Sequence, residues 1–303
     1  MSAYSEASVP DQSGKTCLIT GANTGIGFEA ARVLAGRGAR ILLGCRSETR
    51  ARQALERIRA LHPAADLVWV PLDLARLPSV EAAARTVALE PRLDVLVNNA
   101  GVMLPPKTLT QDGFELQFGV NHLGHFALTG HLLDRLAATP GSRVVHVSSV
   151  THRTGRIDFD DPHAERSYGA MRRYGMSKAA NLYFMLELAR RCAARGLDVT
   201  SLACHPGVTN TELIRTLPRW IQALTPLARP FFNTPEAGAL PTLRAATSPE
   251  AEPTDYYGPI RRGDRSPSAG RADIAPHVRD ERVGRRLWDL SVELTGVSYL
   301  TDL

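Results

Sequence analysis

Thr16-Cys17-Leu18-Ile19-Thr20, an apolar run typical of a buried strand, is followed directly by Gly21-Ala22-Asn23-Thr24-Gly25-Ile26-Gly27 and then by helical periodicity from Phe28 to Leu34. Strand, glycine loop and helix in this order point backbone N–H groups and the positive end of the helix at a phosphate. A side chain at the glycines would block a pyrophosphate or clash with the packed helix. The spacing is G-x-x-x-G-x-G, for which a plain tight turn is the alternative. The strand-to-helix context favours a nucleotide site.

Short apolar strands alternate with helices along the chain. Strands are predicted at 39–43, 67–70, 93–97, 143–147 and 199–203, and helices at 48–61, 79–89, 111–137, 174–195 and 281–294. Alternation of this kind indicates a parallel sheet that is covered by helices on both faces. We therefore expect a single α/β domain over residues 15–303, a doubly wound parallel sheet of the Rossmann type.

Composition and charge exclude several classes of protein. Of the 303 residues, 44% are hydrophobic and 22% are charged, with a formal net charge of +5, as in an ordinary globular protein with a sizeable core. No dense run of Lys and Arg indicates a nucleic-acid partner. No apolar run is long enough to span a bilayer. Residues 1–14 are polar and lack the apolar core of a secretory signal, so we expect a flexible leader and a cytoplasmic protein. The four cysteines stand singly, which favours free thiols.

The end of the second strand bears on the choice of cofactor. In a dinucleotide-binding fold, the residue just past this strand meets the adenosine ribose, where an acid favours the 2′-hydroxyl and an arginine the 2′-phosphate. The chain reads Gly44-Cys45-Arg46-Ser47, with an arginine and no acid. NADP(H) is therefore favoured over NAD(H). The alternative is that Arg46 is a surface charge before the next helix.

Polar and small residues follow three further strands. Asp73 comes after the third strand, where it is placed to accept a hydrogen bond from an adenine amino group, with a plain turn aspartate as the alternative. Asn98-Asn99-Ala100-Gly101 follows the fourth strand, and small and amide residues there allow a cofactor to lie close to the backbone. Ser148 and Ser149 end the next strand. Open α/β sheets bind their ligands at this edge.

Two helical segments carry candidate catalytic residues. Positions four apart share a helix face, so the Tyr174 phenol and the Lys178 ammonium can point into one cleft, although such a pair taken alone is more often a solvated face. A fixed cation stabilises the phenolate and lowers the pKa of a tyrosine from its usual value of about 10. Asn121 stands in mid-helix against its propensity, so we expect a structural or catalytic partner for it. His122 and His125 lie beside it, but no carboxylate or thiol set completes a metal site, and none is expected.

The C-terminal part is irregular in composition. Residues 212–235 mix Leu, Ile, Trp and Phe with prolines, which favours a substrate lid over a satellite core element. Residues 248–280 are rich in Pro, Gly and Arg and are expected to lie over the surface. Together with the last predicted helix they form a C-terminal extension, 248–303.

In this order and spacing the motifs resemble those of the classical short-chain dehydrogenases/reductases over residues 15–245. They are TGANTGIG, the aspartate after the third strand, NNAG, the mid-helix asparagine, VSS, YGMSK and PGVTNT. The combination of TGANTGIG, GCR and NHLGHF, the long connection from serine to tyrosine and the LWDLSVELTG tail are most similar to the retinol-dehydrogenase-like and protochlorophyllide-reductase-like branch.

The resemblance implies a catalytic set. Tyr174 would be the general acid-base, and Lys178 would hold the nicotinamide ribose and lower the tyrosine pKa. Ser149 would hydrogen-bond the substrate oxygen, with Ser148 as the alternative. Asn121 would anchor a water in a proton relay through Lys178.

The resemblance also implies a set of cofactor contacts, with Arg46 at the 2′-phosphate, Asp73 at the adenine and Asn98 near the ribose. Val208 and Thr209 would close over the nicotinamide amide. The full set is Gly21, Asn23, Thr24, Gly25, Ile26, Gly27, Arg46, Asp73, Leu74, Asn98, Ala100, Gly101, Tyr174, Lys178, Pro206, Gly207, Val208 and Thr209.

The implied activity is hydride transfer between NADP(H) and a small-molecule carbonyl or alcohol, and the lid composition indicates a fairly apolar substrate. A catalytically silent NADP(H)-binding sensor or scaffold is the alternative, against which the complete set of Asn, Ser, Tyr and Lys argues. A serine hydrolase built on Ser149 and His152 lacks the glycines of a nucleophile elbow. Related enzymes pair the helices that contain Asn121 and Tyr174, so a homodimer or homotetramer is expected.

Overall fold

One sheet forms the centre of the part of the chain that the computed structural model describes, residues 4–207, 233–260 and 269–301. Its eight strands there are β1 (Thr16–Thr20), β2 (Arg40–Cys45), β3 (Leu67–Pro71), β4 (Val95–Asn98), β5 (Ser142–Val147), β6 (Val199–Cys204), β7 (Tyr256–Gly258) and β8 (Gly270–Arg271). Their order is β3-β2-β1-β4-β5-β6-β7-β8, parallel throughout except for the antiparallel pair β7–β8. The strand order reverses between β1 and β4, and open α/β sheets bind ligands at such a point.

Helices cover both faces of this sheet. They are α1 (Gly25–Gly36), α2 (Glu48–Leu61), α3 (Leu77–Ala88), α4 (Leu116–Phe118), α5 (Gly124–Ala137), α6 (Ala170–Ala194), α7 (Pro235–Thr247) and α8 (Glu281–Thr295). A π-helical turn, Gly119–Leu123, joins α4 to α5. One core contains buried residues of α1, α2 and α7, and a second core contains those of α3, α5 and α6. The predicted single-domain, doubly wound α/β fold is confirmed.

β1 shows why its sequence reads as an unbroken apolar run. All five residues are buried, with Cys17 and Ile19 in the first core and Leu18 in the second. A strand that is covered on both faces has no polar side to display, so it lacks the alternation of a half-exposed strand. The predicted bounds of β1 and α2 agree with the observed ones.

The C-terminal region differs from expectation. β7 lies within 248–280, where surface chain was expected, and pairs with β6 with its two tyrosines buried. Three residues are too few to show a strand period, which is why the sequence pattern missed this strand. Helix α7 was also not predicted. Val208, Thr209 and residues 212–232 of the predicted lid lie outside the described residues.

The two ends of the chain contact the domain. Of the segment predicted as a leader, Val9 is buried and the Glu6 carboxylate accepts a hydrogen bond from Arg32 of α1. At the other end, Leu287 and Trp288 of α8 are buried against α6, and the Arg191 guanidinium lies 4.4 Å from the Trp288 ring centroid. Within the described ranges, every helix is too short or too polar to traverse a lipid bilayer.

Candidate active site

A cleft of about 540 Å³ opens at the carboxyl edge of the sheet, where the strand order reverses. It brings together most of the predicted site residues. Those that line it are Gly21, Asn23, Thr24, Gly25, Ile26, Gly27, Arg46, Asp73, Leu74, Ala100, Gly101, Ser149, Tyr174, Lys178, Pro206 and Gly207. Asn98 and Asn121 lie beneath the surface of the cleft, at 1% and 0% exposure.

The glycine loop forms a cradle for a diphosphate. A Cβ added at Gly27 would lie 2.4 Å from the Asn99 side-chain nitrogen and 2.9 Å from the Gly21 carbonyl oxygen, so only glycine fits. Gly21 and Gly25 have φ angles of +69° and +61°, which favour glycine. Thr24 caps α1 without a side-chain hydrogen bond, and Gly25, Ile26 and Gly27 of the first turn line the cleft, where helix N–H groups favour an anion. These residues fit the pyrophosphate of a nicotinamide dinucleotide.

The adenosine end of the cleft carries more cationic groups than the sequence motif indicated. Beside Arg46, the cleft is lined by Ser47 and Arg50 at the start of α2. The Ser47 hydroxyl caps that helix by accepting a hydrogen bond from the Arg50 N–H at 3.4 Å. Ser47-Glu48 is a recognisable start of a helix, and this signal could have identified Arg50 as part of the same edge.

Asp73 stabilises a turn and also lines the cleft. One carboxylate oxygen accepts a hydrogen bond from the Ala75 N–H at 3.0 Å, and the Asp73 N–H donates to the Ser79 hydroxyl at 3.0 Å. The plain turn role is therefore present in the structure. Because the residue also lines the cleft, the turn holds its carboxylate beside the place expected for an adenine.

The amide that faces the cleft after β4 belongs to Asn99. Its side-chain nitrogen donates to the Thr20 carbonyl at 2.7 Å, and it lines the cleft. Asn98 instead donates to the Thr129 hydroxyl at 3.1 Å, below the cleft floor. The ribose contact expected of Asn98 therefore has no support from its position. Successive residues of an extended chain point in opposite directions, so the two asparagines cannot share one face.

Tyr174 and Lys178 share the buried face of α6 that borders the cleft. The Lys178 ammonium lies 5.7 Å from the Tyr174 ring centroid. Lys178 is 4% exposed and Tyr174 is 7% exposed. The ammonium donates to the Val147 carbonyl at 3.1 Å, which also accepts from the Asn181 amide at 3.1 Å. The last carbonyl of β5 thus holds the cation beside the phenol.

The paired serines point in different directions. The Ser148 hydroxyl is buried and donates to a main-chain carbonyl of α6. The Ser149 hydroxyl accepts a hydrogen bond from the Thr151 N–H at 3.3 Å and lines the cleft beside Tyr174. Acting as an acceptor leaves its own hydrogen available to a ligand.

Asn121 has the structural partner that the sequence predicted. Its side-chain oxygen accepts from the Val102 N–H at 2.7 Å, and its amide donates to the Val102 carbonyl and to the Ser177 hydroxyl, each at 3.0 Å. It stands in the π turn, a form of helix that recurs at functional sites. A Cβ on Gly101 would lie 3.3 Å from the Asn121 oxygen and 3.4 Å from the Lys178 nitrogen. Asn121 therefore lies directly behind the wall of the cleft.

Apolar side chains line the cleft beyond Tyr174. Met103, Leu116, Val150 and Met171 do so, and Met171 remains 52% exposed at the edge. No motif marked these residues, because they are dispersed over four segments of the chain. Among the described residues, no three His, Cys, Asp or Glu side chains are grouped so that they could hold a metal ion.

Comparison with known proteins bears on the family of this chain. The short chain dehydrogenase family profile matches residues 15–222. Retinol dehydrogenase 14 of Homo sapiens is 42% identical over 303 residues, covering 94% of this chain and 87% of that protein. A crystal structure from Mycobacterium paratuberculosis has a TM-score of 0.83 and 35% identity, covering 98% of this chain and 99% of that one.

A further structure shows the shared fold only. It is a gluconate 5-dehydrogenase candidate from Beutenbergia cavernae with NADP bound at low occupancy, at a TM-score of 0.62 and 24% identity over 78% of this chain and 91% of that one. The family match and the human relative are the findings that assign this chain. It belongs to the short chain dehydrogenase family, in the retinol-dehydrogenase-like branch, and is an oxidoreductase.

Proposed function

We propose that this chain is an NADP(H)-dependent oxidoreductase that transfers a hydride between the nicotinamide and a carbonyl or alcohol carbon of a fairly apolar small molecule. One observation carries the proposal. A single cleft holds a phosphate cradle at one end and Ser149, Tyr174 and a buried Lys178 at the other. A catalytically silent NADP(H) sensor or scaffold is the alternative. It would require that Ser149, Tyr174 and Lys178 no longer catalyse a reaction.

In the proposed mechanism, the bound nicotinamide supplies or accepts the hydride. Ser149 donates its hydroxyl hydrogen to the substrate oxygen and so stabilises negative charge that develops there. Tyr174 gives its proton to that oxygen during reduction and removes it during oxidation. Lys178 stabilises the phenolate because its ammonium is held near the ring in a buried setting, where charges are poorly screened.

Arg46 and Arg50 support the preference for NADP(H). Both line the adenosine end of the cleft beside the start of α2, where guanidinium groups and helix N–H groups favour a phosphate. Asp73 is the acid that lines this region, and its carboxylate is already engaged in a turn. A 2′-phosphate at this end would meet two cations.

The apolar residues Met103, Leu116, Val150 and Met171 support an apolar substrate. Retinol, which the name of the human relative contains, is an apolar primary alcohol and belongs in a substrate panel beside aromatic, steroid-like and polyketide-like carbonyls. The proposed lid, 212–235, would select among them.

Tyr174→Phe tests the proposal, with Tyr168→Phe as the matched control. The Tyr168 hydroxyl donates to the Pro105 carbonyl at 2.5 Å and does not line the cleft. Removal of the general acid-base should lower kcat by about 100- to 10,000-fold, with NADPH affinity nearly unchanged, whereas Tyr168→Phe should keep most activity. Retention of most activity by Tyr174→Phe would contradict the assignment. NADPH binding without turnover of any substrate would favour the sensor.

We also propose a homodimer or homotetramer and a cytoplasmic location. The buried contact of Leu287 and Trp288 with α6 limits which part of that helix a second copy can contact. Light scattering measures the assembly. The location is supported by the four cysteines, all of which are buried free thiols.

A further inference from the structure

A buried imidazole connects the two halves of the cleft from below. His125 stands in the first turn of α5 and is 1% exposed. Its Nε2 lies 2.8 Å from the Thr20 hydroxyl oxygen, and its Nδ1 lies 3.0 Å from the main-chain oxygen of Asn121. Thr20 ends β1 directly before the glycine loop, and Asn121 stands in the π turn behind Lys178.

The partners determine which ring nitrogen carries the proton. A carbonyl oxygen only accepts, so Nδ1 must donate to Asn121. Burial, with a smaller contribution from the Lys178 charge, lowers the pKa of His125 to about 4, so the ring is neutral near pH 7 and Nε2 keeps its lone pair. The Thr20 hydroxyl therefore donates to Nε2. The Val97 carbonyl, at 3.3 Å from the same hydroxyl, is the longer alternative.

The direction of that hydroxyl affects the residues after β4 that line the cleft. With its hydrogen on His125, the Thr20 oxygen presents its lone pairs to the N–H groups of Asn99 and Ala100, each at 2.9 Å. Asn99 and Ala100 both line the cleft. The imidazole thus orients a hydroxyl that fixes the chain as it leaves β4.

The other ring nitrogen, Nδ1, acts on the end of the cleft that contains Tyr174 and Lys178. Asn121 holds both main-chain polar groups of Val102 through its side chain. Val102 lines the cleft, next to Gly101. His125 binds the Asn121 carbonyl, so the residue is held by its main chain as well as by its side chain.

We infer that His125 is a positioning residue for the proposed hydride transfer: it holds the end of β1, the chain after β4 and the π turn of Asn121 in one arrangement. This inference rests on the proposed function. His125 does not line the cleft, so it acts through Thr20 and Asn121.

Substitutions can separate the two hydrogen bonds. His125→Asn keeps a donor near the Nδ1 position, and His125→Gln keeps an acceptor near the Nε2 position. His125→Phe removes both while a ring still fills the space. The matched control is His122→Phe, because His122 is equally buried three positions earlier, in the π turn, but hydrogen-bonds Ser291 of α8 at 2.9 Å.

The expected results are graded. His125→Phe should lower kcat about 10- to 100-fold, the range for groups displaced from productive geometry, and should weaken NADPH binding several-fold with little change in the KM of the carbonyl substrate. His125→Asn and His125→Gln should each restore part of the loss. Thr20→Val should cause a smaller loss in the His125→Phe background than in the wild type, because the bond between Thr20 and His125 is already absent there and only the bonds to the Asn99 and Ala100 N–H groups remain to be lost. His122→Phe should lower the melting temperature without these changes.

Two readouts keep this inference separate from the proposed function. Nitrogen NMR of the ring should show the Nδ1–H tautomer of His125 near pH 7, and Thr20→Val should shift the His125 signal but not that of His122. An Nε2–H tautomer, or equal effects of His125→Phe and His122→Phe on NADPH affinity and kcat, would overturn the inference. A wild-type protein that shows the expected tautomer but neither binds nor oxidises NADPH would instead refute the proposed function.

Discussion

The Ser148 hydroxyl donates a hydrogen bond to the main-chain carbonyl of Lys178, with 2.8 Å between the two oxygens. This bond turns the first serine of the pair into α6 and ties the end of β5 to the helix that carries the proposed acid-base. Ser149, the next residue, is left at the cleft. The two serines therefore differ in the hydrogen bonds that their hydroxyls make.

Ser149→Ala should lower kcat about 100- to 1,000-fold, since it removes a donor to the developing oxyanion. Ser148→Ala should instead cost about 1 kcal/mol of unfolding free energy, the usual contribution of one hydrogen bond, with kcat changed much less. Steady-state kinetics and urea denaturation of both variants measure these effects. A greater loss of kcat in Ser148→Ala than in Ser149→Ala would show that Ser148, and not Ser149, is the donor to the substrate oxygen.

Arg46→Ala should weaken NADPH binding about 10- to 100-fold and leave NADH binding nearly unchanged, because a charge-assisted hydrogen bond contributes about 1.5–3 kcal/mol. Arg52→Ala is the matched control, since Arg52 pairs with Glu48 on the exposed surface of α2 and does not line the cleft. Fluorescence titration with both cofactors measures the two affinities. Equal losses of NADPH and NADH affinity in Arg46→Ala would show that another residue reads the phosphate.

Gly27→Ala should abolish NADPH binding and lower the melting temperature. The added Cβ meets the Asn99 amide, which is itself held by the Thr20 carbonyl, and the Gly21 carbonyl at 2.9 Å. Gly284→Ala is the control in α8, where the Cβ meets its nearest atom, on Tyr183, at 3.8 Å, an ordinary contact. Helix propensity should make that variant equal or up to about 1 kcal/mol more stable. Normal NADPH binding by Gly27→Ala would refute the proposed cradle.

The unfolding free energy should fall as the pH drops below about 6.5, the ordinary pKa of histidine. Burial lowers the pKa of His122, His146 and His205 to about 3 and that of His125 to about 4. The unfolded chain therefore binds more protons than the folded one in this window, and each histidine contributes a slope of about 1.4 kcal/mol per pH unit. The stabilisation is complete above the unfolded pKa and is lost as the pH falls.

Urea denaturation between pH 7.5 and pH 5.0 measures this slope. His146→Gln should reduce it by about one proton, since one proton corresponds to about 1.4 kcal/mol per pH unit. Its ring is buried, lies 3.3 Å from the Ser201 hydroxyl and does not line the cleft. An unfolding free energy that is flat over this range would show that these imidazoles are not neutral in the folded protein.

The sequence by itself determined the fold class, the core strands and the family of this protein. Strands that are buried on both faces, such as β1, have apolar sequences that can be recognised directly. The glycine loop can also be recognised, because its steric requirements fall on neighbouring residues. Tyr174 and Lys178 were recognisable for the same reason, since helical spacing alone places them on one face. Short elements carry no such period, and β7 was missed.

Only the tertiary structure decided how the two members of each neighbouring pair differ. Asn99 lines the cleft and Asn98 does not. Both serines line it, but the Ser148 hydroxyl donates its hydrogen to the Lys178 carbonyl. The direction of each side chain depends on where the chain bends as it leaves the sheet. The periodicity of hydrophobic residues does not encode that bend. The bond between Thr20 and His125 joins residues 105 positions apart. Such contacts arise from packing of β1 against α5, so no local pattern could have marked His125 as more than a buried histidine.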